Sequence, residues 1–131
     1  MPRIEGGQYM IKNAGPGGQY ITLHTLDDVL RGALRTGATN QKWIVNDLGN
    51  QTFYITNRGF DKEPGAYARP ARGNAVTAAS DRQAWQITEL NPGIYRISTA
   101  NLAWSLESDG VKLAPFDTAD DRQSFKFESV A

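Results

Sequence analysis

Cysteine is absent from this 131-residue chain, and histidine occurs once, as His24. The first absence excludes disulfides, a thiolate nucleophile and thiolate-ligated metal. The second leaves too few nitrogen ligands for a zinc centre. A nucleophilic triad would have to use His24, and no Gly-x-Ser-x-Gly turn is present to raise a serine toward it. An excess of one charge is also missing, because 14 Lys and Arg balance 14 Asp and Glu. The basic residues are scattered, without the stripe that would track a phosphate backbone, so nucleic acid is not an expected partner. No apolar run is long enough to cross a bilayer, and membrane insertion is not expected. The opening Met1–Gly7 segment lacks an apolar stretch of signal-peptide length, from which a cytoplasmic location is expected. No glycine-rich turn joins a strand to a helix to cradle phosphate. The chain is therefore not expected to be an enzyme, and no catalytic residue, metal or cofactor is expected.

What the sequence does contain is repetition. Asn40-Gln41-Lys42-Trp43-Ile44-Val45 returns as Arg82-Gln83-Ala84-Trp85-Gln86-Ile87 and as Arg122-Gln123-Ser124-Phe125-Lys126-Phe127. Gln83 follows Gln41 by 42 residues, and Gln123 follows Gln83 by 40. Upstream of each copy lies a second recurring piece: Gln8-Tyr9-Met10-Ile11, Phe53-Tyr54-Ile55-Thr56 and Ile94-Tyr95-Arg96-Ile97. The alternation within these pieces is that of half-buried strands. One unit of roughly forty residues thus occurs three times, at about 7–47, 48–89 and 90–131 of a single domain spanning 1–131.

Turn-forming Gly, Pro, Asn and Asp residues cut each unit into four short strands. In the first unit these are expected at Gln8–Lys12, Gln19–Leu23, Ala33–Thr36 and Gln41–Val45, with a loop favoured over a helical turn at Leu26–Leu30. In the second they are expected at Thr52–Thr56, Ala66–Arg69, Ala75–Ala78 and Ala84–Thr88. In the third they are expected at Gly93–Ser98, Ala103–Leu106, Val111–Ala114 and Ser124–Glu128. Four short strands cannot bury their own apolar face, so the three units must share one core. An all-β fold of twelve strands meets this: a six-stranded barrel capped by hairpins, the β-trefoil. The recurring aromatics then fill the core. Each recurring Gln bonds backbone at the turn into its last strand. Phe125 in place of Trp should cost nothing.

The carboxylate groups Asp27/Asp28, Asp61/Glu63 and Asp117/Asp120/Asp121 lie among turn residues and read as solvated, not as acid–base pairs. A rigid scaffold carrying loops is the plan of a binding module.

The Gln-x-Trp/Phe repeat resembles a fungal β-trefoil group that contains ricin-B-type lectins and small protease inhibitors. On the lectin side the likeness rests on Asn40-Gln41-Lys42-Trp43, and on Asn101-Leu102-Ala103-Trp104 with the strand ending Phe127-Glu128. Sugar binding in those lectins uses an Asp on the second strand of a unit. The matching positions here are Thr22, Arg69 and Ser105, none of them acidic, so the resemblance implies an altered sugar site. Aromatic platforms for sugar rings would be Tyr20, Tyr67 and Trp104. On the inhibitor side, Ile4-Glu5-Gly6-Gly7-Gln8-Tyr9 resembles the start of the mycocypins, which inhibit cysteine proteases. Gly15-Pro16-Gly17-Gly18-Gln19-Tyr20 is similar to their first hairpin loop, and Asp121-Arg122-Gln123-Ser124-Phe125 to their C-terminal tract.

The leading expectation is a protein that inhibits a cysteine or serine protease by presenting a rigid loop. Gly15, Pro16, Gly17 and Gly18 form that loop, the glycines allowing close backbone approach to a cleft. Arg72 and Arg122 are alternative reactive-site residues for a trypsin-like pocket, and Asn57 for an Asn-directed protease. The alternative expectation is a carbohydrate-binding lectin whose partner is a glycan.

Overall fold

The period-2 patterning closes into a cylinder. The computed structural model describes residues 4–15, 18–60, 65–117 and 119–130. The first unit carries β1 (Gly7–Asn13), β2 (Tyr20–Thr22), β3 (Arg31–Ala33) and β4 (Trp43–Gly49). The second carries β5 (Thr52–Asn57), β6 (Tyr67–Pro70), β7 (Val76–Ala79) and β8 (Ala84–Asn91). The third carries β9 (Ile94–Thr99), β10 (Leu102–Glu107), β11 (Gly110–Pro115) and β12 (Phe125–Ser129). β1 pairs with β4, β4 with β5, β5 with β8, β8 with β9, β9 with β12 and β12 with β1, all antiparallel. That ring leaves no barrel edge unpaired, which removes the usual route to edge-to-edge association. The remaining strands form three hairpins, β2–β3, β6–β7 and β10–β11. They close one end, where Leu30 N–H donates to the Val76 carbonyl and Val111 N–H to the Leu30 carbonyl. The fold is a β-trefoil.

Pairing shows which residues are equivalent. Tyr9 faces Trp43, Phe53 faces Trp85 and Tyr95 faces Phe125. Phe53, not Tyr54, is therefore the counterpart of Tyr9 and Tyr95. The alignment expected on tyrosine is one residue out, and a one-residue slip sends a side chain to the other face. Accordingly Phe53 is buried and Tyr54 lies half-exposed outside. Trp43, Trp85, Phe125, Ile11, Ile55 and Ile97 are fully buried. Each side chain of this kind stabilises the fold by about 1.5–3 kcal/mol relative to exposure.

The third unit rearranges this plan. In the first two, the Trp43 indole N–H donates to the Ile21 carbonyl at 3.0 Å and that of Trp85 to the Ala68 carbonyl at 2.8 Å. The position equivalent to Ile21 and Ala68 is Trp104, fully buried. Its ring meets Trp85 edge-on at 5.5 Å and Phe125 at 6.2 Å. Phe125 is thus accommodated by a large neighbour. The Trp104 indole N–H finds no hydrogen-bond partner among the described residues.

The third strand falls at Arg31–Ala33 rather than Ala33–Thr36. The backbone after Ala33 is bonded elsewhere. The Gln41 side chain accepts from the N–H groups of Thr36 and Gly37 and donates to the Leu34 carbonyl, so this stretch cannot join a ladder. Leu26–Leu30 is a turn and not helix, as expected.

Candidate binding site

Each unit enters its last strand through the recurring Gln, and the loop before that Gln sets what the surface offers. In the first and third units seven residues separate the third strand from Gln41 or Gln123. They end in single 3-10 turns, Thr39–Gln41 and Asp121–Gln123. Gln123 is buried. Its side-chain oxygen accepts from Asp117 N–H at 2.9 Å, and its nitrogen donates to the Pro115 carbonyl at 2.8 Å. This staples the 116–122 loop and fixes the turn that follows. Asp120 caps that turn by accepting from the Arg122 N–H at 3.0 Å.

The fixed turn borders a pocket of about 260 Å³ between the third unit and the first. Asp121 and Arg122 form one wall, Leu106, Glu107 and Ser108 of the β10–β11 hairpin a second, and Asn13, Gly15 and Gln19 a third. The Asn13 amide donates to the carbonyls of Asp121, Arg122 and Ser124, and its oxygen accepts from Gly15 N–H. One side chain thereby ties the first hairpin loop to the turn of the last unit.

Arg122 lies between two carboxylates, bonding Asp120 at 2.7 Å and Glu107 at 2.9 Å. The hydrogen bonds to Asp120, followed by the Glu107 charge, raise its pKa further, so it is always cationic. The same contact holds the Asp120 carboxyl below its usual range. The pocket lining therefore combines a fixed cation, the carboxylates of Asp121 and of Glu107, the latter bonded by Arg122 and Ser105, and amide groups, with the buried Leu106 behind them. Such a mixture of polar and apolar groups orients a small ligand.

The expected site residues fare differently. Gly15 and Arg122, assigned to rival readings, meet in this one pocket. Pro16 and Gly17 lie outside the described residues. Gly15 and Gly18 already serve close approaches within the molecule. A Cβ on Gly15 would lie 2.9 Å from the Asp121 Cβ, and one on Gly18, which has φ of +50°, would lie 2.6 Å from the Lys12 Cε. Arg122 is engaged with its own carboxylates and does not project as a lone cation. Arg72 is exposed on the turn Arg72–Asn74, where Gly73 and Asn74 have φ of 73° and 63°. Asn57 is fully buried, donating to the Asn40 carbonyl and accepting from Gly59 N–H, so it is a turn-holding residue and offers nothing to a protease. Trp104 presents no face to a sugar because it is fully buried, and Tyr20 is buried with its hydroxyl bonded to Glu128. Tyr67 alone of the three aromatics is half-exposed, packed edge-on against Tyr54 at 5.6 Å.

Asn13, Gln19, Leu106, Glu107 and Ser108 were not singled out from sequence. Asn13 could have been found, because it ends β1 as Asn57 ends β5, each just before a turn. Glu107 carries no such mark, since only the fold brings it to Arg122.

The sequence matches no protein-family model and no curated protein. In three dimensions it is similar to a ricin B-like lectin from Macrolepiota procera solved in complex with lactose, with TM-score 0.78, 23% identity and 99% and 100% of the two chains covered. It is similar to the Rhizoctonia solani agglutinin, with TM-score 0.81, 18% identity and 99% of each chain covered. It also matches a mosquitocidal holotoxin with TM-score 0.83 and 17% identity, over 98% of this chain but only 18% of the toxin. At these identities the likeness is one of fold, and what the chain shares with lectin, agglutinin and toxin is the β-trefoil.

Proposed function

We propose that this protein binds carbohydrate, with the pocket between the third and first units as its site. The observation that carries this is the gathering of Asp121, Glu107 and Gln19 in the lining of one pocket, with Glu107 held in place by Arg122 and by the Ser105 hydroxyl. Vicinal sugar hydroxyls donate well to carboxylate oxygens, and such charge-assisted bonds are stronger than neutral ones. The neighbouring fold of a lactose-bound lectin and of an agglutinin supports the same reading. Thr22, Arg69 and Ser105 stand where the lectins' Asp is expected, so the site would be displaced from the second strand to the loops around Arg122.

The test is a glycan array followed by calorimetry on the hits, with Asp121→Ala beside the wild type. Saturable binding weakened about tenfold or more in the variant, equivalent to about 1.4 kcal/mol, is expected. Titration of the same preparation into papain and trypsin is the counter-screen. Stoichiometric inhibition without sugar binding would replace this reading with the inhibitor one and direct attention to Arg72.

A further inference from the structure

The geometry points to a second carbohydrate-binding groove, selective for uncharged sugars, on the barrel wall between the second and third units. It rests on the carbohydrate-binding reading above and adds a site of different chemistry. Only three residues, Ser80–Arg82, separate β7 from Gln83, against seven in each of the other units. No 3-10 turn forms there. Gln83 has no loop to staple, and its amide donates instead to the Ala84 carbonyl at 2.8 Å and to the Thr99 hydroxyl at 3.3 Å. A cavity of about 330 Å³ opens beside it. That volume lies at the lower end of small-ligand sites.

The lining is polar but uncharged. Thr52, Gln86 and Thr99 supply hydroxyl and amide groups, which can both donate and accept toward sugar hydroxyls, with the buried Ser98 behind them. Ala84 and Ala100 keep the walls low. No acidic or basic side chain is among the described residues that line it, in contrast to the pocket around Arg122.

An aromatic pair lies on the sheet next to the groove's lining residues. Thr52 and Tyr54 alternate onto the same face of β5, and Tyr54 sits opposite Ala84 in the ladder. Tyr54 and Tyr67 form a half-exposed pair, with the Arg82 guanidinium 5.8 Å from the centre of the Tyr67 ring. A ring face of this kind takes the C–H surface of a pyranose while the groove takes its hydroxyls. Between the first and second units the turns before Gln41 and after β5 pack closely instead. There Gly59 sits so close to Asn40 that an added Cβ would lie 3.2 Å from its backbone.

Amide chemical-shift mapping on the isotope-labelled chain tests this, with lactose, chitobiose and maltose as neutral probes and sialyllactose as the anionic one. Shifts of Thr52, Gln86, Thr99 and Ala100 with a neutral probe are expected. Gln86→Ala and Tyr54→Ala should each weaken that binding about tenfold, and Asp121→Ala should leave it unchanged. Gln86 is exposed, so its variant stays decisive if thermal melts show Tyr54→Ala to be unfolded. Shifts confined to Glu107 and Asp121 would overturn the second groove and leave the proposed function standing. Shifts in the groove alone would keep the groove and overturn the site around Arg122. Tighter groove binding of sialyllactose than of lactose would overturn the preference for uncharged sugars. No shift with any probe would overturn both sites.

Discussion

The second and third units carry the same Gln-x-aromatic motif and use it for different ends. In the third, Gln123 is buried and holds a seven-residue loop whose turn supplies Asp121 and Arg122 to a charged pocket. In the second, Gln83 has no such loop and lies half-exposed beside an uncharged groove. The contrast shows that a repeat can keep its core residues while the length and the residues of the loop before the Gln together set whether the surface beside it is charged or uncharged. Core and surface are separable because the motif's aromatic faces the barrel interior, whereas its Gln bonds what lies beside it: the preceding loop at Gln41 and Gln123, but Ala84 and Thr99 at Gln83.

The deepest test of that separation lies in the core, which the units share. Trp85→Ala and Trp104→Ala should each cost roughly 3–5 kcal/mol, although only Trp85 belongs to the repeated motif. The two should diverge on milder change. Trp85→Phe leaves the Ala68 carbonyl without its donor and adds about 1–3 kcal/mol. Trp104→Phe removes an N–H that bonds no described residue. Urea unfolding of the four variants checks this. Equal costs for the two Phe variants would show that the indole hydrogen bond contributes nothing to the difference between units.

A smaller effect separates the glutamines. Gln41→Ala strands the N–H groups of Thr36 and Gly37 and the Leu34 carbonyl, and Gln123→Ala strands Asp117 N–H and the Pro115 carbonyl. Each should cost about 1–3 kcal/mol, because groups bonded to a buried amide lose their partner. Gln83→Ala should cost less than either, since its partners lie at the rim of an open groove. Three equal costs in the same denaturation experiment would mean that Gln83 is as deeply committed as the others.

The twelve strands were legible because alternation, turn residues and a threefold spacing all pointed to one architecture. Ala33–Thr36 departs from the expected strand because the Gln41 side chain takes its backbone groups, a contact that no local pattern in 33–36 marks. Tyr54 aligns by identity with Tyr9 and Tyr95, whereas the barrel matches burial, and Phe53 is the buried one. Trp104 looks like a surface platform in sequence because only the fold shows that Phe125 leaves a volume for it to fill. For the candidate site, Gly15 and Arg122 were visible as turn and charge. Their meeting with Glu107 depends on the β10–β11 hairpin folding over the first loop, a contact between residues far apart in the chain that no local pattern announces.

The smallest effect is one of pH, and it sharpens the comparison of the first two units at Tyr20 and Tyr67, which occupy equivalent places after their first turns. Tyr67 is half-exposed against Tyr54, whereas Tyr20 is buried and its hydroxyl donates to Glu128 at 3.0 Å. Burial, and then the Glu128 carboxylate, raises the Tyr20 pKa above that of a free tyrosine. The folded chain therefore keeps this proton longer than the unfolded chain does. The contribution to stability is complete below the unfolded value of about 10 and is lost as pH rises from there through the folded pKa. Glu128→Gln removes one of the two causes, so Tyr20 should ionise at lower pH and the alkaline loss of stability should become shallower. Tyrosinate absorbance during a pH titration, paired with urea unfolding on either side of pH 10, measures both. Superimposable titrations of the wild type and Glu128→Gln would mean that the Tyr20–Glu128 bond does not form in solution, and would leave burial alone to distinguish the two tyrosines.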